Sequence, residues 1–251
     1  MGKLTQIGHC TADDIFIRDM NLSEEILDKH DFIDVIYYLL FARMPTSNEK
    51  RMLNVLLVTG TDHGFTPSSI SSRLTYLGAP ESVQGALAAG LLGAGNVFLG
   101  AMQKSAELLS ENIGDLDENS SDEEYVARAV QILESCKRKK RSIPGVGHPI
   151  HVNGDPRTPR LREISKECGF YGKHWRLMDA ISDQLVAAGK NLPLNAVGAT
   201  GAICVDMNLD PRIGRGFAVI GRTAGLLAHV MEEAKQPAGL QIWDAVMQAD
   251  A

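Results

Sequence analysis

The segment Pro144-Gly145-Val146-Gly147-His148-Pro149-Ile150-His151, followed by Asp155-Pro156-Arg157, is the densest run of chemistry-bearing residues in the chain. Two glycines ahead of a histidine let the backbone approach a ligand closely. The imidazole of His148 titrates near neutral pH and suits proton transfer. Arg157, nine residues further on, offers a planar fork matched to a carboxylate. Just upstream, Lys137-Arg138-Lys139-Lys140-Arg141 sets five successive cations in an otherwise acidic chain. Such a run holds phosphates by charge. Together these residues describe a phosphate-bearing ligand beside a carboxylate-bearing one. They fit equally a glycine-rich turn next to a solvated basic patch.

The elements that must position this segment are helical. Phe32, Val35, Ile36, Leu39 and Leu40 recur at the spacing of one helix face, and Met44-Pro45-Thr46 ends that helix. Thr46 with Glu49 predicts a capping box for a helix through Met52, Val55, Leu56 and Thr59; Ser121 with Glu124 predicts another, leading into Val126, Val130 and Leu133. Met178, Ile181, Leu185 and Ala188 line a further helix, and Ile213, Phe217, Ile220, Ala224, Leu227 and Met231 a long one. Alternating runs are absent apart from a short ribbon near Ile7 or Ile15, so the fold class is all-α. Residues 111–124 and 137–156 read as loops. The uncharged stretch Gly85–Met102 reaches the lower length limit of a membrane span. Its five glycines and its lack of basic or aromatic flanks predict buried helices in a soluble protein instead.

At 251 residues the chain is one large domain or two small ones. Hydrophobic residues at 44% and charged residues at 22% are globular proportions, which excludes disorder. With 24 glycines against 14 aromatics, the backbones must pack closely. A net charge of −6 argues against a nucleic-acid coat. Four cysteines without CxxC spacing exclude a zinc ribbon or a disulfide scaffold and point to a reducing cytoplasm. No apolar leader follows Met1-Gly2-Lys3-Leu4, and Gln6 stands where an acylation signal needs Ser or Thr. No His, Cys or Asp cluster has ligand spacing, so no metal site is predicted.

The pattern G-x-G-H followed by D-P-R resembles the active-site loop of the citrate synthase family, and the resemblance runs the length of the chain. Residues 32–46 look like that family's early helix with its R-x-P-T turn. Thr61-Asp62-His63-Gly64 is similar to the A-D-H-G form of citryl-CoA lyases and of the C-terminal module of ATP-citrate lyase. Asn195 with Val205-Asp206-Met207 resembles the N-V-D…V-D-M stretch of the same module. Residues 221–229 resemble the R-T-x-G-x-x-A-H helix. The resemblance implies large (1–98 and 202–251) and small (99–201) helical domains, with the site in the cleft between them, and a homodimer. It implies that His63, Arg157 and Arg222 bind oxaloacetate or the matching end of citrate. His148 would bond the oxygen that is carbonyl in oxaloacetate and hydroxyl in citryl-CoA, accepting the hydroxyl proton in cleavage. Lys137, Arg138, Lys139, Lys140, Arg141, Gly145 and Gly147 would face coenzyme A, which is part of the substrate and not a resident cofactor. His229 reads as a packing residue of its helix, and His151 and His174 as surface or supporting residues.

Two family residues are missing. The synthases carry a histidine in H-G-G-A-N that steadies the enolate; the matching slot here is Leu92 or Gly93. The lyase module also lacks that histidine, which favours the lyase branch. The carboxylate base that follows the Asn of N-V-D is replaced by Val197, and Asp206, roughly 13 Å along a continuous helix, is too distant to substitute. Condensation starts by deprotonating a weak carbon acid and most needs the missing base; cleavage starts at the hydroxyl. The expected activity is therefore cleavage of citryl-CoA to acetyl-CoA and oxaloacetate. The alternatives are action on a related 3-hydroxy-acyl-CoA, or a weakly catalytic paralogue that binds CoA or a dicarboxylate as a partner subunit. No nucleic-acid or membrane partner is expected.

Overall fold

Local capping sets the element boundaries. The computed structural model describes residues 4–249; Met1–Lys3, on which the leader and acylation expectations rest, lie outside the described residues. The chain divides into two units, Met1–Asn54 and Val55–Ala251.

In the first unit, β1 (Gly8–Cys10), β2 (Ile15–Ile17) and β3 (Met20–Asn21) form an antiparallel meander with Gly8 opposite Ile17. This is the ribbon expected near Ile15. Helix α1 (Phe32–Phe41) opens on a reciprocal Asp31–Asp34 box and stops at Ala42, held left-handed at φ 57°. Helix α2 (Ser47–Gly60) opens on the expected box: Thr46 N–H donates to Glu49 at 2.8 Å, and Glu49 N–H to the Thr46 hydroxyl at 3.2 Å. The buried face of α1 differs from the apolar face of its sequence. Phe32 is 69% exposed, whereas Asp34, Ile36, Tyr37 and Tyr38 are buried. Polar partners turn the helix: Lys50 donates to Asp34 at 2.7 Å and Tyr37 to Glu49 at 2.6 Å.

The second unit holds α3 (Pro67–Gly78), α4 (Val83–Leu92), α5 (Ala101–Asn112), α6 (Asp122–Arg138), α7 (Arg157–Cys168), α8 (Lys173–Ala187), α9 (Ala196–Asp206), α10 (Pro211–Glu233) and α11 (Ala238–Ala249). Helix α9 is apolar on all sides and is buried among α5, α7, α8 and α10. The core around it includes Trp175, Leu177, Met178, Ile181, Ile203, Phe217 and Leu226. The Ser121–Glu124 box opens α6 as expected, but its buried stripe is Tyr125, Ala129, Ile132 and Cys136, one residue off the Val126–Val130 face. Helix α10 shows the same offset: Gly214, Phe217, Ala218, Gly221, Gly225 and Leu226 face inward, while Ile220, Leu227 and Met231 stay exposed. Small residues win because they allow closer backbone approach. A Cβ on Gly221 would sit 2.2 Å from the Leu57 carbonyl oxygen, and one on Gly225 would sit 1.9 Å from that of Thr61.

The stretch Gly85–Met102 is not one continuous helix. Helix α4 ends at Leu92, residues 93–100 form a turn that exposes Val97 and Phe98, and α5 follows. Its Gly90 packs inside the chain, against Ser68 and Ser72 of α3. Among the described residues no helix is long and apolar enough to cross a membrane, and all four cysteines are free.

Candidate active site

Two tight turns and two helices converge on a cluster of imidazoles and arginines. The first turn follows α2. Gly64 adopts φ 67° and donates its N–H to Asp62 at 2.9 Å, which fixes the Asp62-His63-Gly64 corner. The second is the loop ahead of α7. Here Gly145 (φ 94°) lies so close to α9 that a Cβ on it would reach 2.5 Å from the Gly198 Cα. The backbone that Gly145 approaches thus belongs to this chain. Asn195 N–H donates to the Gly145 carbonyl at 3.0 Å, Gly147 N–H to Pro193 at 2.8 Å, and the Asn195 amide to the Gly147 carbonyl. Val146 and Leu194 bridge as a short antiparallel pair. The loop is thereby laid along the start of α9.

His148 emerges from this loop half-buried. Its Nδ1 accepts two backbone N–H groups, from Ile150 at 3.1 Å and from His151 at 3.0 Å. A backbone N–H is always the donor, so Nδ1 is unprotonated and the ring proton sits on Nε2. Burial lowers its pKa below the ordinary 6.5, and the neighbouring His151, His63 and Arg157 push the same way against Asp155. His148 is therefore a neutral hydrogen-bond donor, where the sequence reading made it a proton acceptor.

His63 and His148 stand with ring centroids 5.4 Å apart. His151, expected as a surface or supporting residue, completes the group at 4.4 Å from His148 and 5.6 Å from His63. One nitrogen of each ring lies within 4.8 Å of the others. Loop spacing gave no sign of this cluster, which has the shape of a metal site. His148 fits that role poorly: with Nδ1 held unprotonated, Nε2 must carry the proton and offers no lone pair.

Arg157, at the start of α7, is clamped by Asp155: Nε donates to Oδ1 at 2.9 Å and a terminal nitrogen to Oδ2 at 2.8 Å. Asp155 also accepts the Ala196 N–H at 2.9 Å. Burial works to raise the Asp155 pKa, but these donors outweigh it and hold the carboxyl well below the usual range. Arg222 on α10 is buried and donates from Nε to the Gly60 carbonyl at 2.9 Å. Among the described residues no carboxylate pairs with it directly. Burial, with Arg157 nearby and Asp62 opposing, lowers its pKa. The two guanidinium groups are near enough to act on one another electrostatically, and each is a planar fork of the kind that pairs with carboxylates.

Behind the first turn lies a network that the sequence did not announce. Arg73 of α3, 1% exposed, donates to His229 Nδ1 at 2.9 Å and to Glu233 at 2.8 Å, and pairs with Glu232. With Nδ1 accepting, His229 donates from Nε2 to Asp62 at 2.9 Å. His229, read from the sequence as a packing residue, thus links a buried arginine to the residue beside His63. His174 is also no surface residue: it is buried and bonded to Asp206 at 2.8 Å. Asp206 further accepts the N–H groups of Gly172, His174 and Trp175, so it is committed to capping α8. Val197, in the first turn of α9, is half-buried and apolar. Lys137, Arg138, Lys139, Lys140 and Arg141 are all exposed at the end of α6 and beyond it.

Comparison with known proteins places this arrangement. The family model "Citrate synthase, C-terminal domain" matches residues 4–242. The chain belongs to the citrate synthase family. It is 24% identical over 245 residues to a probable ATP-citrate synthase of Dictyostelium discoideum, covering 91% of this chain and 38% of that protein. It is 28% identical over 200 residues to citrate synthase 2 of Bacillus subtilis, covering 78% and 50%. The chain thus spans half or less of these relatives. Among solved structures, citryl-CoA lyase from Hydrogenobacter thermophilus superimposes with a TM-score of 0.80 at 33% identity, over 92% of this chain and 87% of that one. ATP citrate lyase from Methanothrix soehngenii, solved with citrate and coenzyme A, shares the fold at a TM-score of 0.78 and 20% identity, over 95% of this chain and 41% of that one. This citrate synthase-family chain has a citryl-CoA lyase-like fold.

Proposed function

We propose that this protein is a citryl-CoA lyase that cleaves citryl-CoA to acetyl-CoA and oxaloacetate. The observation that carries the reading is the combination of Arg157, Arg222 and His63 around a proton-donating His148 with an apolar Val197 at the family's base position. Arg157 and Arg222 bind the carboxylates of the oxaloacetate end, and His63 assists. His148 directs its Nε2–H at the oxygen that becomes the oxaloacetate carbonyl and stabilises the charge that develops there. Val197 cannot exchange a proton with acetyl-CoA, so the proton step at that carbon falls to another group.

Coenzyme A enters as part of the substrate. The exposed run Lys137–Arg141 supplies charge for its phosphates, and Gly145 and Gly147 keep the neighbouring loop free of side chains. Residues 99–201 serve as the small domain that carries this loop. The exposed Leu240, Trp243, Val246 and Met247 of α11 support a homodimer.

A coupled assay with citryl-CoA, malate dehydrogenase and NADH tests the reading. Fast oxaloacetate release, abolished by His148→Ala, is expected. Rapid condensation of acetyl-CoA with oxaloacetate and no citryl-CoA cleavage would overturn it. Val197 also supports a second reading, a weakly catalytic paralogue that binds CoA or a dicarboxylate as a partner subunit. That reading expects ligand binding without turnover.

A further inference from the structure

Cleavage of citryl-CoA needs two proton steps. The tertiary hydroxyl loses its proton as the carbon–carbon bond breaks, and the released enolate gains one on carbon. His148 is held as a donor by the Ile150 and His151 N–H groups, so it does not accept the hydroxyl proton. Val197 has no exchangeable proton. Asp155 is committed to Arg157 and Ala196, Asp62 to Gly64 and His229, and Asp206 to α8. In the cluster, the rings of His63 and His151 carry no hydrogen bond among the described residues. Of these two, His151 stacks nearer to His148, at 4.4 Å against 5.4 Å. His151 also shares the loop of His148 and donates its own backbone N–H to it, so the two rings are positioned together.

Resting on the citryl-CoA lyase reading above, we infer that His151 is the proton carrier of the cleavage. Its neutral ring takes the hydroxyl proton while the carbon–carbon electron pair leaves with the acetyl-CoA enolate. The imidazolium then returns that proton to the enolate carbon. The O–H and C–C bonds break, the C=O and C–H bonds form, and no outside acid or base is consumed. With the ring centroids 4.4 Å apart, one substrate hydroxyl is within reach of both rings. His148 and His63 face His151 directly; Asp155 and Arg157 act on His148, and Asp62 and Arg157 act on Arg222. The carboxylates of bound substrate offset the two arginines at the moment the imidazolium forms.

The test is His151→Gln, which keeps the backbone N–H that fixes His148, with His151→Gly as a second variant. With citryl-CoA in the coupled assay, His151→Gln is expected to lose about 10²–10⁴-fold in kcat, with KM held within about threefold. Free imidazole should restore part of the His151→Gly rate. A His151→Gln enzyme with native kcat or impaired only in KM, or a His151→Gly enzyme that imidazole does not rescue, overturns the role of His151 alone. An unsubstituted protein that leaves citryl-CoA intact overturns the lyase reading and this inference with it.

Discussion

Asp155 grips Arg157 with both carboxylate oxygens, at 2.9 and 2.8 Å, and uses one of them to accept the Ala196 N–H as well. This buried carboxylate joins the histidine loop, the first turn of α7 and the first turn of α9. Asp155→Asn removes the charge and leaves Arg157, one-third exposed, without its partner. A loss of about 1–3 kcal/mol in unfolding free energy is expected, together with weaker dicarboxylate binding. The sign with pH follows from the lowered pKa. Asp155 binds its proton more readily in the unfolded chain, so its contribution is complete above the ordinary carboxylate range of about 4 and is lost as pH falls below it. Denaturant unfolding from pH 6 to pH 3 should show a shallower decline in Asp155→Asn than in the native chain. Parallel curves would refute this.

His148 should carry its proton on Nε2 at neutral pH. Nitrogen-15 NMR of labelled protein is expected to show Nδ1 unprotonated and Nε2 protonated at pH 7. The second proton should arrive only below the ordinary His pKa of about 6.5, as burial and the cationic surroundings dictate. The linked stability is present above that range and declines as pH falls through the folded value. A protonated Nδ1 at pH 7 would break the assignment of His148 as donor.

Some of this was legible in the sequence for physical reasons. Thr46 with Glu49 and Ser121 with Glu124 are local bonds that close over three residues, so composition and spacing specify them. The order of His63, His148, Arg157 and Arg222 was readable because each sits in a short motif. The network of Arg73, His229 and Asp62 was not, because its bonds join residues more than 150 positions apart. The buried face of α10 was misplaced by one residue because glycine adds nothing to an apolar pattern yet permits the tightest packing. His151 was missed because three residues in a loop, unlike three in a helix, fix no direction for a side chain.

The glycine face of α10 sets the position of the first turn of the site. Gly225 approaches Thr61, the residue before Asp62 and His63, so closely that a Cβ would fall 1.9 Å from a backbone oxygen. Gly225→Ala must push α10 away from residues 57–61 despite its better helix propensity. The expected loss is about 1–3 kcal/mol, which lowers the melting temperature by about 2–4 °C per kcal/mol. Scanning calorimetry measures it. Gly216→Ala on the same helix meets no atom within 4 Å, so it should be neutral or slightly stabilising. Equal melting temperatures for the two variants would show that the close approach is not real.

Val197→Asp restores a carboxylate where the family's base stands, and the outcome separates the readings of this protein. Position 197 lies in the first turn of α9, where the helix N-terminus favours negative charge by about 0.3–1 kcal/mol. The variant should therefore fold, and the native melting temperature checks this. A base at that position acts first on the methyl group of acetyl-CoA, the opening step of condensation. If the native protein is a working lyase, its proton carrier is already in place, and both cleavage and condensation should change by less than tenfold. If it is a weak paralogue, cleavage and condensation should rise together from background by about 10²–10⁴-fold, because the carboxylate then supplies the proton step in both directions. Measuring both directions on one preparation distinguishes these results: near-native rates in both support the lyase, and a large joint gain overturns it.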